Sequence, residues 1–253
     1  MLRFFGKIRR QLAADNDIPK YLRYAVGEIL LVVIGILIAL QINNLNELRK
    51  QKISDISFLE SMRSEIVLDT SLMFSRISHY ESINEDIEKA VDILNDTLPP
   101  SKSETEHIAS VVVQLEILVP LYKNITRNDF ILASGTLNRI DPELNQKYLS
   151  YLDLMKFGYD LTNKVAQSLQ SIVINNVYSK VKLNLMFSDD TNVQFDIKKL
   201  RKDQLFINAF HESVLYRNVT LVNSLNHPFE RAKEVLSDID SYIEINNIPI
   251  QTD

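Results

Sequence analysis

Cysteine is absent from this sequence, and glycine and proline are scarce. Without cysteine the chain has no disulfide, no thiolate nucleophile and no cysteine-ligated zinc site. Five glycines and seven prolines among 253 residues are too few turn formers for a many-stranded sandwich or barrel. The glycines form neither GxGxxG nor GxxxxGK[ST], the patterns that bind phosphate through backbone amides. These absences favour a mostly helical protein.

A long apolar run near the N-terminus is present. The sequence ILLVVIGILIAL fills residues 29–40 without a polar side chain. Residues 21–42 would reach about 33 Å as a helix, against about 30 Å for a hydrocarbon core. A buried core helix is the alternative, but Tyr21 and Tyr24 stand where interfacial aromatic residues belong. We therefore predict a transmembrane helix at residues 21–42, in contact with the lipid bilayer, and no cleavage as a signal peptide.

The charges flanking this run are unequal. Residues 1–23 carry six basic and two acidic side chains, whereas residues 43–253 have a net charge of −8. Close to the run, six basic residues precede it and three follow it. The positive-inside rule then predicts a cytoplasmic N-terminus and a periplasmic domain at residues 43–253, in the bacterial inner (plasma) membrane.

Residues 1–20 form the predicted cytoplasmic segment. Apolar side chains recur there at spacings of three and four residues, at Met1, Phe5, Ile8 and Leu12. Basic residues take the other angles. This pattern is typical of a basic amphipathic helix lying on an anionic leaflet, and it equally fits an ordinary basic flank that is helical.

Glu28 is an acidic residue at the start of the predicted span. A carboxylate costs up to about 3 kcal/mol at the bilayer centre and less near the edge, so its presence favours a functional role. Glu28, Gly35 and Ile42 are spaced by seven, and Gly35 with Ala39 forms a small-xxx-small pair. We predict an intramembrane association face of Glu28, Gly35, Ala39 and Ile42. The alternative is a carboxylate at headgroup depth, paired locally or with lipid.

Two blocks resemble an uncharacterised family of single-span bacterial membrane proteins, known only as a domain of unknown function. The first block is FFGKIRRQL at residues 4–12 with KYLRYAVGEILLVVIGILIALQINNLNELRK at residues 20–50. The second is DFILASGTLNRIDPELNQKYLSYL at residues 129–152. Leu45 stands where that family usually has tryptophan after the Asn-Asn pair. The resemblance implies a fold and a membrane location, and it supplies no catalytic residue.

The outer domain should be a bundle of antiparallel helices, so the predicted fold class is all-α. Between Gly35 and Pro99 lie 63 residues without glycine or proline. Apolar residues recur through this stretch at helical spacings. They are Ile56, Leu59, Met62, Ile66, Met73, Ile77, Tyr80, Ile87, Val91 and Leu94.

Capping patterns place the other helices. Ser103 with Glu106 predicts a capping box and a helix that ends near Pro120. A short helix at residues 126–134 should end at Ser134, with Gly135 as its left-handed cap. The pair Asp141-Pro142 predicts an N-cap followed by proline at the first position of a helix that reaches about residue 185. A polar loop at residues 187–196 and a helix over residues 203–244, interrupted at Pro228, complete the domain.

Catalytic and metal patterns are weak. No two histidines (His79, His107, His211, His227) share a ligand spacing, and the acids at residues 189–196 lack the glycine and glutamate of a calcium loop. The outer domain has more acidic than basic residues, which argues against nucleic acid. No catalytic motif is visible, so we predict no enzyme activity, no cofactor and no metal.

The sequence predicts a membrane-anchored interaction, sensor or scaffold protein. Its expected partners are copies of itself, as a homo-oligomer, or another membrane protein. The alternative is a small subunit of a proton-driven, stator-like complex in which Glu28 titrates. Such subunits also combine a short cytoplasmic tail, an acid in the span and a periplasmic domain.

Overall fold

A computed structural model describes residues 18–118, 135–184 and 192–246. The described helices are α1 (Ile18–Asn95), α2 (Lys102–Val112), α3 (Thr136–Ile140), α4 (Pro142–Val173), α5 (Ile197–Leu200), α6 (Gln204–Thr220) and α7 (His227–Asn246). Two π-helical turns, Ile174–Tyr178 and Leu221–Asn226, and two short strands, β1 (Lys182–Asn184) and β2 (Asn192–Gln194), complete the described elements. The chain divides into an N-terminal unit ending at Ser57 and a C-terminal unit beginning at Phe58. The predicted all-α fold class is confirmed.

The N-terminal unit contains the apolar part of α1. An 18-residue window of this helix has a mean hydropathy of 2.6, and none of the window is buried. Its large side chains are exposed, for example Leu31 at 67% and Leu37 at 54%. By length and composition this is a candidate membrane span. The predicted amphipathic helix of residues 1–20 lies outside the described residues except at residues 18–20, which form the start of α1.

The C-terminal unit has a core to which α1 contributes one buried stripe. Eight residues of the predicted stripe are buried: Leu59, Met62, Ile66, Met73, Tyr80, Ile87, Val91 and Leu94. Ile56 and Ile77 are only half-buried. Ile83 and Ala90 join the stripe although the spacing argument omitted them. A single helical face of this kind packs on several partners at once.

Side-chain pairs give the directions of the helices. Arg63 on α1 pairs with Asp240 on α7, and Asn84 further along α1 bonds Asn218 on α6. Residue numbers therefore rise along α1 as they fall along its partners. Lys147 on α4 likewise bonds Asp238, with an Nζ to Oδ2 distance of 2.7 Å. Helix α1 thus runs antiparallel to the C-terminal helices, as expected for a bundle, and α4 packs against α7.

Helix α2 begins two residues earlier than the sequence predicted. Its capping box is Ser101 with Glu104, whereas Ser103 and Glu106 lie inside the helix. The Ser101 hydroxyl accepts from the Glu104 amide at 3.2 Å, and the Glu104 carboxylate accepts from the Ser101 amide at 2.6 Å. The sequence contains two overlapping Ser-x-x-Glu patterns, and the one next to the Pro-Pro pair forms the cap. The helix also ends at Val112, before the predicted position near Pro120.

The connection before α4 contains a short helix that the capping patterns did not predict. Residues 136–140 form α3, a five-residue helix. Asp141 is the N-cap of α4 and Pro142 its first residue, the positions expected from the Asp-Pro pair. The Asp141 carboxylate accepts hydrogen bonds from the Glu143 and Leu144 amides. The predicted helix at residues 126–134 lies outside the described residues.

The end of α4 differs from the prediction. The α-helix ends at Val173 and passes through a π-helical turn, and β1 begins at Lys182 instead of the helix reaching residue 185. Strand β1 pairs antiparallel with β2, which occupies part of the predicted polar loop. Apolar residues at 181, 183 and 185 alternate with Lys182 and Asn184. This period of two is typical of a strand.

The last helical stretch is interrupted before proline rather than at it. Helix α6 ends at Thr220, a π-helical turn spans Leu221–Asn226, and Pro228 is the second residue of α7. The helical path stays continuous there, since the His227 amide donates to the carbonyl of Val222, and Pro228 lacks the amide that would donate next. The helix continues to Asn246, two residues beyond the predicted end.

Candidate functional sites

The predicted association face lies on α1 in the N-terminal unit. Glu28 is half-buried, whereas Gly35, Ala39 and Ile42 are exposed. A side-chain carbon added at Gly35 would meet nothing within 4 Å. Residues spaced by seven drift only about 20° around a straight helix, so Glu28, Gly35 and Ile42 share one side. The face is therefore open, with room for a second helix at Gly35.

The predicted structural turn falls partly outside the described residues, since Ser134 is not among them. Gly135 has φ +63° and ψ 3°, the left-handed region, and it is the N-cap of α3. Its carbonyl accepts the Arg139 amide at 3.2 Å. Gly135 is thus the residue that starts α3, and Pro142 follows as the first residue of α4.

The most polar buried site was missed by the sequence analysis. Arg217 on α6 has no exposed surface. One terminal nitrogen donates to the Asn84 side chain and to Ser213, each oxygen at 3.2 Å. The guanidinium also lies 6.0 Å from the centre of the Tyr80 ring. These contacts link α6 to α1 deep in the C-terminal unit.

The other terminal nitrogen of Arg217 binds the turn that follows α2. It donates to the backbone carbonyls of Gln114 at 3.0 Å and Leu115 at 3.1 Å. Arg217 thereby ties this turn to α6 and α1. The described hydrogen-bond partners of Arg217 are all uncharged groups. Burial therefore lowers the pKa of Arg217 to about 10, which leaves it protonated at neutral pH.

Arg201 makes the same kind of contact at the end of α1. It donates to the carbonyls of Ile93 at 2.7 Å and Leu98 at 2.5 Å. Neither α1 nor α2 has a basic residue in its own last turn. Arg201 thus supplies at the end of α1 the positive charge that this helix end lacks, and Arg217 supplies one to the turn after α2. Sequence spacing alone gives no signal for either contact.

One buried tyrosine, Tyr151, and one half-buried tyrosine, Tyr178, form hydrogen bonds to carboxylates near the core. The Tyr151 hydroxyl donates to Asp69 at 2.6 Å, and the Tyr178 hydroxyl donates to Glu116 at 3.2 Å. Desolvation is the main cause that raises the pKa of both tyrosines, and the nearby carboxylates raise it further. Both hydroxyls therefore stay protonated. They act as hydrogen-bond donors that fasten α4 and the turn after it.

One of the four histidines, His107, and one acid of the polar loop, Asp196, bind backbone groups. Nε2 of His107 lies 2.9 Å from the carbonyl of Asp86, which joins α2 to α1. Asp196 caps α5 by accepting from the Lys198 and Lys199 amides, whereas Asp189 and Asp190 lie outside the described residues. Within residues 18–118, 135–184 and 192–246, no group of three or more acidic or histidine side chains is arranged to hold a metal ion.

Comparison with known proteins gives one match. Residues 28–141 match a family described as "Family of unknown function (DUF6090)". The matched part begins at Glu28 and ends at Asp141, so it contains the residues of the predicted association face, α2 and α3. It covers less than half of the chain and is consistent with an uncharacterised domain. Neither a curated protein nor a solved structure matches the sequence.

Proposed function

We propose that this protein is anchored in a membrane by α1 and acts through protein association, as a scaffold or sensor. The observation that carries the proposal is the exposure of the apolar window, of which none is buried within the chain. Exposed apolar area is stabilised by about 25 cal/mol per Å² when it leaves water. A lipid bilayer would cover a run of this length. The separate buried core of the C-terminal unit supports a folded domain outside the bilayer.

Extraction of membranes tests the anchor. The full-length chain should stay in the pellet after washing with alkaline carbonate. Ile36→Arg places a charge in the window at a cost of about 2.5 to 3.5 kcal/mol, and it should move much of the chain to the supernatant. Phe157 is also an exposed apolar residue, at 55%, but it lies in the C-terminal unit. Phe157→Arg should therefore leave the extraction unchanged. Release of the parent chain by carbonate would overturn the anchor.

The proposed location is the bacterial inner membrane, with the N-terminus in the cytoplasm and the C-terminal unit in the periplasm. The support is the excess of basic residues before the span. A reporter enzyme that is active only in the periplasm, fused after Asp253, should be active. A fluorescent reporter that matures only in the cytoplasm, fused at the same place, should be dark. The opposite pair of results would reverse the proposed topology.

Association through Glu28, Gly35, Ala39 and Ile42 is the proposed mode of action in the membrane. Gly35→Leu should weaken self-association strongly, because it fills the space where a second helix would approach. Glu28→Gln should weaken it by at most about 1 to 2 kcal/mol, the range of polar contacts in membranes. Crosslinking in native membranes measures both. If both variants associate like the parent, the span is only an anchor.

The stator-like alternative makes a different prediction for the same variant. There Glu28→Gln would keep assembly intact while abolishing a proton-dependent activity. A proton flux assay in vesicles containing the parent chain and the variant separates the two functions. Equal flux from both, together with weaker crosslinking of the variant, would favour association.

A further inference from the structure

The outward face of α1 in the C-terminal unit carries no charge over residues 64–78. Its exposed residues are Ser64, Val67, Leu68, Ser71, Leu72, Phe74, Ser75 and Ser78. We call this set the neutral face. The charged residues within the same stretch, Glu65, Asp69 and Arg76, are half-buried at its sides. Exposed charges return at both ends, at Arg63 and Glu81.

The neutral face is apolar as well as uncharged. Its four large side chains are strongly exposed: Val67 39%, Leu68 61%, Leu72 51% and Phe74 62%. The serines at 64, 71 and 78 repeat every seven residues, so they form one row along the helix. The exposed face of α7 is different, because it includes Glu230, Lys233 and Glu234. An uncharged outer face is therefore specific to α1 when these two helices are compared.

Two of the serine hydroxyls, those of Ser64 and Ser71, would not oppose burial of this face. Ser64 donates to the carbonyl of Glu60, and Ser71 donates to the carbonyl of Val67, both at 2.9 Å. A buried polar group is costly when it lacks a hydrogen-bond partner. These two hydroxyls already have partners within the helix. Covering the face therefore gains the apolar area of its large side chains without leaving those hydroxyls unpaired.

We propose that a second copy of this chain covers the neutral face, with the two α1 helices running parallel. This inference rests on the proposed membrane anchor, because two copies inserted by the same segment have the same orientation. In a parallel two-fold pair, each residue of the heptad row meets the same residue of the partner. Any charge in that row would meet a like charge. A face without charges meets this requirement, and it offers no charge by which a different protein would be selected.

Small residues on the row also allow close contact. Packed helices lie about 8 to 10 Å apart, and the distance depends on the side chains at the contact. Serines at 64, 71 and 78 place this pair near the lower end of that range. Val67 and Phe74, three residues after the first two serines, would then pack against their counterparts on the partner. Dimerisation through the neutral face therefore pairs the domains outside the membrane, in addition to any contact made by the span.

Disulfide crosslinking in native membranes tests the pairing, and the chain has no cysteine of its own. Ser71→Cys in the full-length chain should form a dimer on mild oxidation. Matched controls are Ser168→Cys on α4 and Ser241→Cys on α7, since both serines are exposed and bond a carbonyl of their own helix. A disulfide requires Cα atoms closer than about 7 Å, so Ser71→Cys should react at least about tenfold faster than either control. Equal rates would overturn the proposal.

A second pair of variants measures association without a new bond. Ser71→Asp places two like charges at the centre of the pair and should reduce the dimer fraction at least about tenfold. Ser71→Ala should leave that fraction unchanged. Because Ser71 is exposed, neither change should alter the melting temperature of the domain. An unchanged dimer fraction in Ser71→Asp would contradict the inference.

The same experiment separates this inference from the proposed function. If Ile42→Cys forms a dimer and Ser71→Cys does not, association through the span stands and the neutral face has another role. If neither reacts while the chain remains in the membrane pellet, both association claims fail and the anchor alone stands. A crosslinked band containing a different protein on Ser71→Cys would identify another occupant and would also overturn the proposal.

Discussion

Two glycines on long helices have opposite surroundings. Gly35, in the N-terminal unit, would accept a side-chain carbon with nothing within 4 Å. Gly158, on α4 in the C-terminal unit, would bring that carbon to 2.7 Å from Cα of Ser224 and 3.1 Å from its carbonyl oxygen. One glycine leaves room for something outside the chain. The other allows two elements of the same chain to touch.

This difference shows how each region obtains its contacts. In the C-terminal unit, α4 crosses the second π-helical turn closely enough that only a hydrogen fits at residue 158. Stability there depends on packing within the unit and on buried hydrogen bonds such as those donated by Arg217. In the apolar part of α1 the side chains are exposed, so lipid or another helix must supply the contacts. The following predictions test that division.

The largest effect is expected at Arg217. Arg217→Leu leaves the Asn84 oxygen without its donor, which costs about 1 to 3 kcal/mol, and it removes the charge-assisted hydrogen bonds to Gln114 and Leu115 in the turn after α2, each contributing about 1.5 to 3 kcal/mol. We expect the free energy of unfolding to fall by more than about 3 kcal/mol. Denaturant titration followed by circular dichroism measures this. Arg231 is a control that bonds only Glu234 among the described residues, so Arg231→Leu should change stability by less than about 0.5 kcal/mol. Extraction from membranes should be unaffected in both variants.

Gly158→Ala should have the next largest effect. The added carbon would contact backbone atoms of Ser224, which cannot turn away as a flexible side chain can. Overpacking of this kind costs about 1 to 3 kcal/mol. Gly35→Ala is the matched change in the N-terminal unit, and it should leave the melting temperature of the domain unchanged. Equal stability of the two variants would contradict the contrast between the regions.

Gly135 provides a third, smaller case. Nothing lies within 4 Å of an added carbon there, but φ is +63°. Gly135→Val should therefore destabilise the domain by about 1 kcal/mol through backbone strain alone. Gly135→Asn should cost less, since asparagine tolerates the left-handed region better. Thermal unfolding of the two variants gives the comparison. If valine and asparagine cost the same, strain at this residue is not the cause.

The smallest expected effect is a pH dependence at Asp203. Lys180 donates to this carboxylate at 2.8 Å, and the hydrogen bond lowers the pKa of Asp203 below its ordinary value. A carboxylate with a lowered pKa stabilises the fold fully above the ordinary pKa of about 4, and the contribution disappears as pH falls through the folded value. Asp203→Asn retains an N-cap while removing the charge. The variant should therefore lose slightly less stability than the parent as pH falls from about 5 to about 2. A larger loss at low pH in Asp203→Asn than in the parent would contradict this sign.

Local patterns in the sequence predicted much of the fold. The apolar stripe of α1 and the Asp141-Pro142 start of α4 depend on residues a few positions apart, so spacing and capping rules apply directly. Where two local signals overlapped, the choice was wrong. Ser103 was predicted as the cap of α2, and Ser101 forms it. The period of two after residue 180 was treated as a continuation of a helix, although it forms β1.

The sequence by itself determined the helical fold class and the candidate span, because both follow from composition and from periodicity within one segment. Only the tertiary structure decided that Arg217 binds the turn after α2, since the guanidinium and the carbonyl of Leu115 are 102 residues apart. It likewise decided that Gly158 meets Ser224 and that the outer face of α1 is left without charge over residues 64–78. Which residues meet across helices depends on crossing points and on burial. Spacing along one helix does not contain that information.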